Sequence, residues 1–412
     1  MASKDGFLAP MKESGSLKRS LSLTMLTIYG LGTMVGGGFY ALTGEVARHA
    51  GMHTPIAFLM AATVALFSAL SFGELAARFP QAGGEAHYVL EAFGRARLST
   101  GVGLLVVTTG VVSAATLANA FVGFLQELVA VPTWAGIVVI VLVLGGVAGW
   151  GIAESAILAA VITFIEVGAL AYVSFAVRAH IFELPARIDE IVPPMTLQAW
   201  NGIAVGAFLA FYSFIGFEDM VNLAEEVKDA RRALPRGILL ALGMTTVIYG
   251  TVTTLAVLAR TPEALAASRS PLATVLGGVD AVPGVGITLV GMLAGLNGAL
   301  VQVIMASRVL YGMGKKETGP AVFARVWERT RTPVAATLLV TAVVLVLALG
   351  FPLVTLARWT SSVILVIFTL VNVSLLVLKW RGGSRRPDVT TYPIGIPIVG
   401  AAVSLLFLLS QI

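Results

Sequence analysis

Apolar residues in this chain gather into eleven runs, near residues 21–46, 54–77, 99–126, 133–150, 155–177, 199–224, 237–259, 283–312, 333–350, 353–379 and 395–411. Each reaches the roughly 17–25 residues that a helix needs to cross a bilayer, so the pattern predicts an all-α integral membrane protein with eleven transmembrane helices. Only Pro352 divides the ninth run from the tenth. Two runs are interrupted. Residues 30–44, GLGTMVGGGFYALTG, set the Gly36–Gly38 triplet inside the first, and residues 211–218, FYSFIGFE, interrupt the sixth. Glycine weakens a helix by roughly 1 kcal/mol per residue, and unwound backbone at membrane depth survives only where it faces protein or a polar cavity. The first five runs and the next five thus each open on a broken helix. That predicts two five-helix inverted-topology repeats plus one C-terminal span, with a substrate site where the breaks meet.

Composition narrows the class. The chain is 57% hydrophobic and 12% charged, against about 25% charged in soluble domains, and its mean hydropathy is +0.92. A soluble globular protein is excluded. There is no cysteine, hence no disulfide framework, thiolate nucleophile or cysteine-bound metal. The first apolar run is too long and too glycine-broken for a signal-peptide core, so no cleaved signal is expected. Of the 27 Lys and Arg, twenty fall in the tail and alternate connections, six on the opposite side, and Arg308 lies within a run. The positive-inside rule then puts the N-terminus in the cytoplasm, and an odd number of spans puts the C-terminus outside. The expected divisions are a tail at 1–20, repeats at 21–177 and 199–379 joined by an extracellular connection at 178–198, and a loop with the last span at 380–412. A net charge of +5 spread over loops is a topology signal, so no nucleic-acid partner is expected. His49 and His53 have metal-binding spacing, but Gly51 and Pro55 argue for a loop there. No metal or cofactor is expected, and nothing in the sequence fixes an oligomeric state.

Several segments carry a more specific signature: Gly30–Gly44; Gly73-Glu74-Leu75-Ala76-Ala77-Arg78-Phe79-Pro80 with Gly83-Gly84; Phe211–Glu218 running on through Ala224-Glu225-Glu226-Val227-Lys228 to Leu234-Pro235; Ala306-Ser307-Arg308-Val309-Leu310-Tyr311; and Thr332-Pro333. Over nearly its whole length the chain resembles the amino acid/polyamine/organocation permeases, which have the LeuT-type fold. The resemblance implies a substrate carboxylate on the amides of Gly36, Gly37 and Gly38, and a substrate ammonium against the carbonyls of Met34, Tyr212 and Ile215. It makes Tyr212 and Phe214 gates or pocket walls, where residues alone allow simple aromatic filling. Ser213 adds a small polar group. Gln302 falls at a family pocket position, although an interhelical hydrogen bond would explain it equally well. Two features depart from the family: eleven spans against a common twelve, and Glu166 where relatives carry a basic or amide residue.

Four acidic residues need partners. Glu74 and Asp219 read as structural acids pairing with basic loop residues; Glu218 follows the second break, where it can link substrate occupancy to helix movement. Glu166 lies in mid-span, where an ionisable group is functional by default. It reads either as a proton carrier or as a permanently neutral hydrogen-bonding group. Sodium sites in LeuT-type folds use hydroxyls of the eighth span, yet none lies between Thr288 and Ser307; Asn297 is the oxygen donor that remains. No serine elbow, HExxH or repeated filter marks an enzyme or a channel. The expectation is a secondary active transporter of an amino acid or related small amine in the cytoplasmic membrane, sodium-independent and proton-coupled, with uncoupled exchange as the alternative.

Overall fold

A computed structural model describes residues 20–81, 84–151, 156–315, 318–327, 329–382 and 389–411; most of the expected tail at 1–20, and Gly83, lie outside them. Helices account for the fold: α1 Leu23–Met34, α2 Gly37–Ala50, α3 Thr54–Arg78, α4 Gly84–Phe93, α5 Ala96–Leu128, α6 Thr133–Trp150, α7 Ala156–Ala176 and α8 Leu184–Ile191 in the first half. The second half holds α9 Leu197–Phe211, α10 Ala230–Ala259, α11 Pro262–Ala267, α12 Pro271–Val275, α13 Val282–Lys315, α14 Val334–Gly350, α15 Leu353–Trp380 and α16 Gly395–Leu409. Among the described residues there is no strand beyond two isolated bridges. Among the described residues seven helical stretches are long and apolar enough to cross a bilayer alone, and α7 taken together with the segment after it, across a 56° bend, gives an eighth candidate. Three apolar helices, α1, α14 and α16, are shorter.

The helix ends follow local chemistry. Ser22 caps α1 and Thr196 caps α9, each hydroxyl accepting an N–H from the first turn. Pro352 stands between α14 and α15, as the pattern predicts, because proline cannot continue a helix. The connection at 178–198 is a 3₁₀ turn followed by α8, anchored where His53 Nδ1 meets Ile191 O at 3.0 Å.

The helices pack in pairs across the two halves: α3 on α10, α5 on α13, and α6 on α14. An aromatic cluster fills the space behind the α1/α2 junction. Phe39 stacks on Tyr249 with ring centroids 3.9 Å apart, and Phe58 and Phe214 meet the same tyrosine edge-on. Burying rings of this size contributes several kcal/mol, so the wall behind the broken helices is rigid.

Candidate functional site

The first break is shorter than the glycine triplet suggests. Val35 N–H still donates to Leu31 O at 2.7 Å, Gly36 is extended (φ −105°, ψ −172°), and α2 begins at Gly37. Only Val35 and Gly36 are unwound. The other two glycines answer to close packing: a Cβ on Gly37 would come within 2.6 Å of the Gly295 backbone in α13, and one on Gly38 within 2.6 Å of the Tyr212 ring. A Cβ on Gly36 would meet nothing within 4 Å. Gly36 faces open space, beside the positive end of α2.

At the second break α9 passes into a 3₁₀ turn at Tyr212–Phe214, an extended Ile215, and Gly216 at φ 135°. That φ excludes a side chain, and a Cβ would also collide with Thr33. Glu218 holds the turn, its Oε2 accepting the Gly216 N–H at 2.8 Å.

Side chains stitch the two breaks together. Thr33 Oγ1 is shared between Gly30 O and Gly216 O, both at 3.0 Å. Tyr249 Oη, from α10, is shared between Met34 O at 2.7 Å and Ser213 O at 3.1 Å. Met34 O also accepts the Gly36 N–H at 2.8 Å, so both its lone pairs are engaged. The carbonyl that the resemblance offers to a substrate ammonium is therefore already saturated.

Between the breaks lies the inner end of a cavity of about 950 Å³. Met34, Gly36, Gly37, Gly38, Tyr212, Ser213, Ile215, Gln302 and Glu166 all line it. Phe214 and Glu218 do not: Phe214 packs edge-on against Tyr249 at 5.2 Å behind the wall, and Glu218 is buried on its turn. Tyr212 Oη is fixed by Ser113 Oγ at 2.8 Å. Ser213 Oγ and Gln302 Oε1 are buried without a hydrogen-bond partner. Buried polar atoms are normally satisfied, so two orphans lining one cavity mark where a ligand's own polar groups belong.

The carboxylates sort differently from the sequence expectation. Glu74 has the structural role expected, pairing with Arg78 Nη2 at 2.6 Å and Lys379 Nζ at 2.8 Å and accepting Tyr392 N–H at 2.8 Å. Asp219 is a correction: it makes no ion pair among the described residues and lines the cavity with Glu85, Glu226 and Asn222. The short 3₁₀ stretch Phe217–Leu223 turns it inward, away from the basic loop. Glu166 is 1% exposed, and its backbone carbonyl accepts Tyr40 Oη from α2 at 2.7 Å. Neighbouring Thr163 packs against Gly32 of α1, so this helix touches both halves of the first broken span. Sequence reasoning missed Glu85, which lies on the interfacial helix α4 outside the candidate spans. Burial pushes its carboxyl up to about 7, its own amide opposing and the charge of Asp219 adding.

The cavity runs from the breaks to the end that carries Arg95, Arg97 and Lys228, past Ala96, Ser99 and Glu226. The opposite end is shut. There α11 lies on α2 so closely that a Cβ on Gly44 would come within 2.6 Å of Leu265 O, and Arg48 Nη2 donates to Ala266 O at 2.6 Å. Arg269 seals the side, its N–H donating to Glu127 Oε1 at 2.8 Å and its guanidinium to Gln126.

Comparison with known proteins gives a consistent picture. A family model described as amino acid permease matches residues 19–412. An uncharacterized transporter of Mycobacterium tuberculosis is 31% identical over 387 residues, covering 92% of this chain and 84% of its own. A branched-chain amino acid permease of Bacillus subtilis is 28% identical, covering 90% and 83%. A vacuolar cationic amino acid transporter of Arabidopsis thaliana is 27% identical, covering 94% and 66%.

Proposed function

Since the chain belongs to the amino acid permease family, we propose that it moves an amino acid or related small amine across the cytoplasmic membrane by alternating access. The observation that carries this reading is the cavity that starts at two stitched helix breaks, opens at one end of the molecule and is sealed at the other. A carrier needs a central site open to one side at a time. The pairing of α3 with α10, α5 with α13 and α6 with α14 supports the LeuT-type 5+5 arrangement, because a two-fold axis between repeats brings equivalent spans into contact. The same reading makes eleven spans and sets the N-terminus and the open, basic end in the cytoplasm, so the conformation is inward-facing.

In this site the substrate carboxylate lies beside Gly36 at the first amides of α2, Gly37 and Gly38, because the Gly36 N–H that the resemblance also offers is taken by Met34 O. The ammonium lies toward the carbonyls of Tyr212 and Ile215, and substrate polar groups complete Ser213 and Gln302. The relatives' printed substrates are a branched-chain amino acid in one case and cationic amino acids in another. The carboxylates Glu85, Glu166, Asp219 and Glu226 on the wall favour a positively charged substrate for this chain. Saturable uptake with counterflow in proteoliposomes tests the carrier reading; flux linear in concentration and without counterflow would point to a channel.

Proton coupling through Glu166 fits its burial beside the first broken helix. In the proposed cycle a proton enters with substrate, neutralises Glu166, lets the stitched breaks move against α7, and leaves inside. The stretch Leu289–Ala306 of α13 carries no Ser or Thr side chain, which supports sodium independence. Glu166→Gln mimics the protonated form, so exchange should persist while uptake driven by a pH gradient is lost. Uptake by that variant with the wild-type pH dependence would leave Glu166 a structural group.

A further inference from the structure

Arg308 falls within an apolar run, in the part of α13 nearer the basic end, and a cation in a membrane-length helix is costly without a partner. Its side chain has no ion pair or hydrogen bond among the described residues. It faces a second recess of about 210 Å³, at the basic end between α6, α13 and α14, which Arg331, Thr330, Thr332 and Thr337 also line. That volume holds roughly seven waters. Four other basic side chains of this end are engaged: Arg78 and Lys379 on Glu74, Arg381 on Ala92 O, Lys315 on the Tyr311 ring.

The second arginine is placed there at a conformational cost. Arg331 sits at φ 55°, in the left-handed region that a side chain disfavours. A tight turn holds it. Arg331 N–H donates to Trp327 O at 2.7 Å, Trp327 N–H donates to Thr332 O at 3.0 Å, and Thr332 Oγ1 ties the turn to Gly149 O at 2.7 Å. Strain held in place by this many bonds is a feature of binding sites. The guanidinium of Arg331 is likewise without an ion pair among the described residues. Thr332, Pro333 and Thr337 bring the N-terminus of the 17-residue α14 to the same recess, adding the positive end of its dipole.

We propose that this recess binds a phosphate group, gripped by Arg308 and Arg331 and completed by the α14 N-terminus. Guanidinium forks match phosphate oxygens two at a time. Given the reading of this end as cytoplasmic, the group belongs either to an anionic phospholipid of the inner leaflet or to free phosphate. Arg308 lines the large cavity as well, together with Glu85, Glu166, Asp219 and Glu226, so an occupant here neutralises a positive charge of that carboxylate-lined cavity.

The test is thermal stabilisation of the purified, delipidated protein by phosphatidylglycerol, by phosphatidylcholine, and by inorganic phosphate against chloride at equal ionic strength. Stabilisation by phosphatidylglycerol alone assigns the headgroup, and stabilisation by inorganic phosphate assigns the free anion. Arg331→Gly relieves the backbone strain while removing the guanidinium, so it should fold at least as well as wild type and bind roughly tenfold more weakly. Arg308→Gln should weaken binding similarly, and Lys315→Gln should not. No stabilisation of wild type by either phosphate source, or equal stabilisation of Arg331→Gly, overturns the proposal.

Discussion

At the scale of single residues, the three glycines of the triplet separate by what a methyl group would meet. Gly36 faces open space with an extended backbone, so Gly36→Val should leave the melting temperature nearly unchanged yet abolish stabilisation by substrate. Gly37→Ala instead drives a Cβ into the Gly295 backbone and should lose about 1–3 kcal/mol of stability. Thermal melts of the two variants with and without substrate distinguish them; equal behaviour would contradict this division. Glu85 gives a pH prediction. Its folded pKa of about 7 lies above the ordinary 4.5, so between those values the native state holds more protons than the unfolded state. Stability contributed by the neutral acid is full below the unfolded pKa and lost as pH rises through the folded one. Glu85→Gln should therefore gain stability relative to wild type from pH 5 to pH 8, read as a growing difference in melting temperature.

At the scale of elements, the sequence made the broken first span legible, because consecutive glycines in an apolar run have no packing period of their own. It overstated the length of the break, since close approach to α13 and Tyr212, which only the fold reveals, explains two of the three glycines. The second break was legible through Gly216 and its flanking polar residues, but the roles of its aromatics were not. Tyr212 and Phe214 are only two residues apart, yet the 3₁₀ turn sends one to the cavity and the other behind it. Tyr249 left no signal, as nothing local sets a mid-helix tyrosine apart from core filling; its importance arises from two carbonyls that meet it only after folding. Tyr249→Phe keeps the ring stack and deletes the hydroxyl. It should cost about 1–3 kcal/mol, because Ser213 O loses a buried donor, and it should slow transport more than it weakens substrate binding. Transport at the wild-type rate would mean that the stitching is not needed for the two breaks to move together.

At the scale of the whole molecule, the absence of native cysteine permits a direct test of sidedness. Ala96→Cys, at the open end, should react with an impermeant maleimide from the cytoplasm, and Phe182→Cys, 85% exposed on the opposite connection, from outside; the reverse labelling would invert the assignment. Glu74 carries a consequence of another kind. Its carboxylate is wholly buried near the end of α3, but two of its partners, Lys379 and the Tyr392 amide, are translated some three hundred residues later. During synthesis the first half thus waits with a buried acid only partly compensated, a costly state for a charge. A nascent chain stopped before Tyr392 should be an early target of membrane quality control, so the fold audits its own completion through a single glutamate.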